Sequence, residues 1–228
     1  MRFASFVLLL PMLFAAPTPT TNAKPETAIA VAHKTTHTIV YQTLGDGSKC
    51  SATAIGPHAL LTASHCELPT FGIQIDDKPA VVMGIARDEL DHSILLVSAT
   101  FDTYAEFASQ PAQVGDDVFI FGNPERFSDV LRKGYLAKTA HAEKNEQLEK
   151  LLGITGGPTE DVYDFNGYYG DSGAAVFNSA GQIVDVVNII LVAKDKDPDV
   201  PAIKFMAAFG LQFSPQQLAT ARTWEPKK

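Results

Sequence analysis

Residues 169–177 read YGDSGAAVF, a serine held between two glycines and followed at once by an apolar run. A serine on such a turn presents its hydroxyl outward, and the N–H groups of Gly170 and Ser172 can converge on an oxygen that gains negative charge. The run Ala174 to Phe177 continues as a strand, so a strand–turn–helix elbow does not fit. The serine belongs to a β-rich setting.

Outward from this point the chain is strands and turns. Before it come Thr38 to Thr43, Ser51 to Ile55, Ala59 to Thr62, Phe71 to Ile75, Ala80 to Ile85 and Ile94 to Val97. A second set follows with Val118 to Gly122, Val130 to Ala137, Val162 to Phe165, Ala174 to Phe177, Ile183 to Val192 and Ile203 to Ala208. Short alternating or apolar runs bounded by Gly, Pro, Asn and Asp predict an all-β fold, here two six-stranded antiparallel barrels. Thr100 to Gln113 lacks period-2 alternation and contains Pro111, which places the crossover there and the boundary near Gln110. His141 to Leu152 is rich in helix formers and charge and predicts a surface helix or a long excursion. Ser214-Pro215-Gln216-Gln217 carries a capping-box pattern with Pro at the first helical position, which predicts a short C-terminal helix.

Two more motifs supply what a serine nucleophile needs. In Leu61-Thr62-Ala63-Ser64-His65-Cys66 a strand runs into a histidine, and in Asp91-His92-Ser93-Ile94 an acid enters an apolar strand. A hydroxyl requires a base for its proton, and the imidazole requires a carboxylate to hold its tautomer. His65, Asp91 and Ser172 fill these roles, with Gly170 and Ser172 as oxyanion donors. Asp88 is the rival acid, and its replacement by Asn is expected to be mild. Other sites are weak. His33 and His37 have a zinc-like spacing but no third ligand, and flanking threonines favour strand. Asp195-Lys196-Asp197-Pro198-Asp199 lacks the glycine and distal glutamate of a calcium loop. The residues call for no metal and no cofactor.

The order His, Asp, Ser, with Thr62-Ala63-Ser64-His65-Cys66 and Gly170-Asp171-Ser172-Gly173, resembles the trypsin/chymotrypsin-fold serine proteases. Residues 114–138, with their Gly-Asn-Pro turn, resemble the compact bacterial HtrA-like and glutamyl-endopeptidase-like branches. The resemblance implies two barrels, His65 and Asp91 on residues 24–110, Ser172 on residues 111–228, and no PDZ domain. It implies a serine endopeptidase acting on protein or peptide through an acyl-enzyme. The alternative is an inactive protease-fold binding protein. The zymogen terminus of Ile or Val followed by Val-Gly-Gly is missing, so Asp171 is expected to lack that partner. The specificity pocket would be lined by Asn166, Val186, Val187 and Asn188, which carry no charge and favour a small or medium uncharged residue before the scissile bond.

Met1-Arg2, an apolar run from Phe3 to Ala16 and small residues ending at Ala23 predict a signal peptide over residues 1–23 and a secreted or periplasmic protein. Export permits a disulfide, and with two cysteines it joins Cys50 and Cys66. Of 228 residues 46% are apolar and 19% charged, enough for a substantial core. The net charge of −8 argues against nucleic acid as a partner, and after signal cleavage no membrane contact is expected.

Overall fold

A computed structural model describes residues 25–41, 48–66, 72–124, 127–141, 159–193 and 203–226. The expected signal peptide, the 195–199 loop and, apart from His141, the expected 141–152 helix lie outside these residues.

Six strands form a closed antiparallel barrel: β1 (Thr36–Tyr41), β2 (Ser48–Gly56), β3 (Ala59–Ala63), β4 (Gly72–Ile75), β5 (Lys78–Arg87) and β6 (His92–Val97). Their order is β1-β2-β3-β6-β5-β4, and β4 closes on β1 with Ile39 opposite Ile75. Every residue of β3 is buried, because one face fills the barrel and the other meets the second sheet. β5 instead shows the alternation of a strand with one wet face, exposing Val81, Met83 and Ile85.

The second sheet contains β7 (Asp117–Gly122), β8 (Val130–His141), β9 (Thr159–Tyr163), β10 (Ala175–Asn178), β11 (Ile183–Val186), β12 (Ile189–Ala193) and β13 (Ile203–Phe209), in the order β11-β10-β7-β8-β9-β13-β12. The run expected as one strand from Ile183 to Val192 is two. Val186 still pairs with Ala175 of β10, whereas Ile189 pairs with Ala207 of β13. The chain therefore changes partner at Val187 and Asn188. The two outer strands of the sheet are consecutive there, so one bent run joins its edges, and the seven strands form a half-barrel where a closed six-stranded barrel was expected.

Three apolar layers result. Ile39, Leu60 and Leu95 fill the first barrel, while Ile120, Leu136 and Met206 fill the half-barrel. Between them lies a shared layer of Ile55, Leu61, Ile94, Phe119, Phe121 and Phe177. The segment between β6 and β7 crosses from one sheet to the other. The Ala105 amide donates to the Ala54 carbonyl at 2.8 Å, and three residues on the Ala108 amide donates to the Ile183 carbonyl at 2.8 Å.

Two helices flank the seam. Helix α2 (Pro215–Thr223) has the expected capping box between Ser214 and Gln217. Helix α1 (Pro25–Thr35) stands before β1, so His33 lies in its last turn where a strand was expected. Ala28 of α1 packs on Gly181, and Ala32 enters the shared layer. Burial of this small-residue face outweighs the strand preference of the threonines.

Candidate active site

His65 sits in a single 3-10 turn after β3, anchored by a disulfide between Cys50 and Cys66. Asp91 occupies the turn before β6 in the left-handed region, at φ 68°, a conformation that aspartate tolerates better than most residues. Both its carboxylate oxygens then reach His65. Oδ1 accepts the His65 backbone N–H at 2.8 Å, and Oδ2 meets Nδ1 at 2.7 Å. Ser64 completes the grip by donating its amide to the Asp91 carbonyl at 2.8 Å. The imidazole is fixed in rotation yet 46% exposed, and its Nε2 makes no hydrogen bond among the described residues.

The serine turn is docked on this edge of the first barrel. The Ser172 carbonyl accepts the Ser51 amide at 2.8 Å and lies 3.7 Å from Sγ of Cys66, next to His65. Gly173, at φ 84°, presses against the Ser51 carbonyl and the Thr62 hydroxyl so closely that no Cβ fits. The structure thus brings the three predicted residues to one edge of the barrel seam. Gly170 has φ 98°, and the amides of Gly170 and Ser172 donate to no acceptor among the described residues.

Asp171 has a partner that the sequence reading missed. It is fully buried and grips Arg132 of β8 through both oxygens: Nη1 donates to Oδ2 at 2.7 Å and Nη2 to Oδ1. The Tyr168 amide adds a bond at 2.8 Å, and Arg132 Nη1 also donates to the Asn166 carbonyl at 3.0 Å. Gly122 leaves the room for this pair, since a Cβ there would collide with Asp171 and Arg132. A guanidinium from within the sheet pairs with the aspartate that was expected to lack a zymogen-type N-terminal partner. Beside it opens a depression of about 490 Å³ lined by Pro124, Phe127, Val130, Arg132 and Tyr168.

The predicted pocket residues separate. Val186 and Val187 are buried in the core layers and offer no open wall. The bend at 187–188 turns them inward. Asn188 is also buried, and Asn166 is exposed. The segment facing Gly167 is instead Ile190 of β12 with the Phe205 carbonyl: a Cβ on Gly167 would lie 3.1 Å from Ile190 Cγ1 and 3.5 Å from that oxygen. Lys204 Nζ stands 5.8 Å from the ring centre of Tyr169, which brings a cation to this neighbourhood.

Asp88, the rival acid, pairs with a different imidazole, that of His92. Burial raises its carboxyl, but hydrogen bonds from His92 and the Gln212 and Leu90 amides outweigh that and hold it below the ordinary 3.8. These three donors, joined by the His92 amide, are incompatible with a mild effect of Asp88→Asn, because an amide would set a donor against donors. His37 pairs with Asp76 at 2.7 Å and His33 stands 4.0 Å from Asp129; among the described residues no group of three or more ligands could hold a metal.

Residues 50–185 match the sequence family described as trypsin-like peptidase domain. No curated protein matches the chain. Among solved structures, the active form of the Rv3671c protease of M. tuberculosis superposes with a TM-score of 0.67 at 20% identity, covering 100% of this chain and 97% of that one. The HtrA-type protease AlgW gives 0.66 at 18% identity over 88% of this chain and 64% of its own. A serine endoprotease from Yersinia pestis gives 0.62 at 16% identity over 90% and 65%. At these identities the likeness is one of fold.

Proposed function

We propose, from the premise that this chain belongs to the trypsin-like peptidase family, that it is an exported serine endopeptidase. The observation that carries the reading is the exposed imidazole of His65, held by both oxygens of Asp91 beside the docked Ser172 turn. Of the two imidazole–carboxylate pairs in this region only this one can meet a substrate, since His92 is fully buried.

With Nδ1 committed to Asp91, Nε2 of His65 takes the proton as Ser172 Oγ bonds to the scissile carbonyl carbon. The carbonyl oxygen becomes an oxyanion facing the free amides of Gly170 and Ser172. Nε2 then hands its proton to the departing amine as the C–N bond breaks, leaving an ester on Ser172. Water, giving its proton to the same nitrogen, attacks that ester and restores the hydroxyl. Asp91 keeps its charge throughout, fixes the tautomer and stabilises the imidazolium. Residues 1–23 direct the chain out of the cytosol, and the substrate is a protein or peptide.

A fluorophosphonate probe is expected to label Ser172 of the parent. Ser172→Ala is expected to lose both labelling and peptide hydrolysis. Undiminished hydrolysis by the alanine variant would end the assignment.

A further inference from the structure

Asp88 and His92 meet at 2.7 Å, Oδ2 to Nδ1, with exposures of 3% and 0%. The carboxylate is saturated: Oδ1 accepts the amides of Leu90 at 2.9 Å and His92 at 3.0 Å, and Oδ2 also accepts the Gln212 amide at 3.0 Å. On the far side of the ring stands Asn188 of the half-barrel. Its orientation is set twice, since Nδ2 donates to the Leu90 carbonyl at 3.0 Å and Oδ1 accepts the Phe209 amide at 3.2 Å. The remaining Nδ2 hydrogen faces Nε2 of His92 at 3.4 Å. An amide donor on that side requires Nε2 to be a bare acceptor. His92 is therefore the neutral Nδ1–H tautomer, bonded to Asp88 on one side and facing Asn188 on the other.

This chain of groups brackets Asp91. It begins three residues before it, ends one residue after it, and crosses the barrel seam to Asn188, which directly precedes β12 with Ile190. A buried polar network satisfied at every member is rigid, and Asp91 sits in a turn whose left-handed φ must be held from outside.

Resting on the reading of Asp91 as the acid, we propose that Asp88, His92 and Asn188 are positioning residues that lock the Asp91 turn in register with β12, whose Ile190 faces Gly167. They touch no substrate and act only through where Asp91 places its carboxylate.

The test is a double-mutant cycle on the whole chain. His92→Leu is expected to lower kcat/KM about 10- to 100-fold in the parent while keeping a cooperative thermal transition. In an Asp91→Ala background the same change is expected to alter the residual rate less than about twofold, because no carboxylate is left to misplace. Equal losses in both backgrounds overturn the proposal. Asn188→Ala, which cuts only the link across the seam, is expected to repeat the pattern and serves if His92→Leu does not fold. Nitrogen-15 NMR of the parent is expected to show His92 as the Nδ1–H tautomer, and an Nε2–H tautomer overturns the network. Asp91→Ala alone reports on the acid: unchanged turnover there removes that assignment and this proposal with it, whereas an intact Asp91 effect with additive cycles removes only the proposal.

Discussion

Arg132→Met keeps an unbranched chain in place and takes away the charge that Asp171 grips. Asp171 is fully buried, and Arg132 only 14% exposed, so water cannot replace the lost donors. Removing one partner of such a pair costs about 3–5 kcal/mol. For a chain of this size that is a fall in melting temperature of about 6–20 °C. The damage falls on the turn where Asp171 separates Gly170 from Ser172, and the Asn166 carbonyl loses its donor as well. If the Gly170 amide swings out of line, kcat drops about 10²- to 10³-fold, the cost of one missing oxyanion donor. Arg132→Lys keeps charge without the fork and is expected to fall between. Adding Asp171→Asn to Arg132→Met removes both charges and is expected to recover stability but not turnover. Calorimetry with single-turnover hydrolysis of a chromogenic ester reads both quantities. Arg132→Met with an unshifted transition and parental kcat would refute the reasoning.

Reduction of the Cys50–Cys66 bridge, or its replacement by two serines, is expected to cost about 3 kcal/mol for a separation of 16 residues and to lower turnover by freeing the His65 turn; denaturant titration with and without reductant measures it. Asp185 is buried inside the half-barrel beside the Tyr163 hydroxyl, and burial pushes its carboxyl well above the ordinary 3.8. The folded state therefore keeps a proton that the unfolded chain releases, so stability falls as pH rises above about 4 towards the folded-state value. Asp185→Asn is expected to remove that slope and raise the melting temperature at neutral pH, read from melting temperatures across pH 4–8; an unchanged slope contradicts it. Ile190→Gly is expected to widen the slot facing Gly167 and raise kcat/KM for Leu or Phe before the scissile bond about tenfold or more relative to Ala. A peptide-library profile dominated by Glu in the parent would instead point to Lys204 as the determinant.

The strands were legible because one face of each is wet or the run is short and apolar, and either pattern survives as period 2 or as a bounded block. The bend at Val187 and Asn188 was not, since nothing in an apolar run announces a change of hydrogen-bonding partner; that error carried the pocket residues inward with it. Helix α1 was missed although Pro25 at its start and Ala28 and Ala32 on one face were visible, because the threonines flanking His33 and His37 read as strand without knowledge of Gly181. The juxtaposition of His65, Asp91 and the Ser172 turn was legible through their order and flanking residues. Arg132 and Asn188 were not, because a pairing across 39 residues from Arg132 to Asp171, or 96 from His92 to Asn188, leaves no local pattern.

The contact between Ala28 and Gly181 joins the first described helix to a turn near the end of the second sheet. A ribosome delivers the chain N-terminus first, so the Ala28 face of α1 has no seat until residue 181 has emerged. Until then the first barrel can close its own interior, but Ile55, Leu61 and Ile94 face water on the side that Phe119, Phe121 and Phe177 later cover. Such a surface is sticky and its partners are distant in sequence, which makes docking slow and aggregation a competing fate. The same arrangement delays assembly of the cleft. Ser172 reaches the His65 edge only when the second sheet docks, so the proposed catalytic set comes together last.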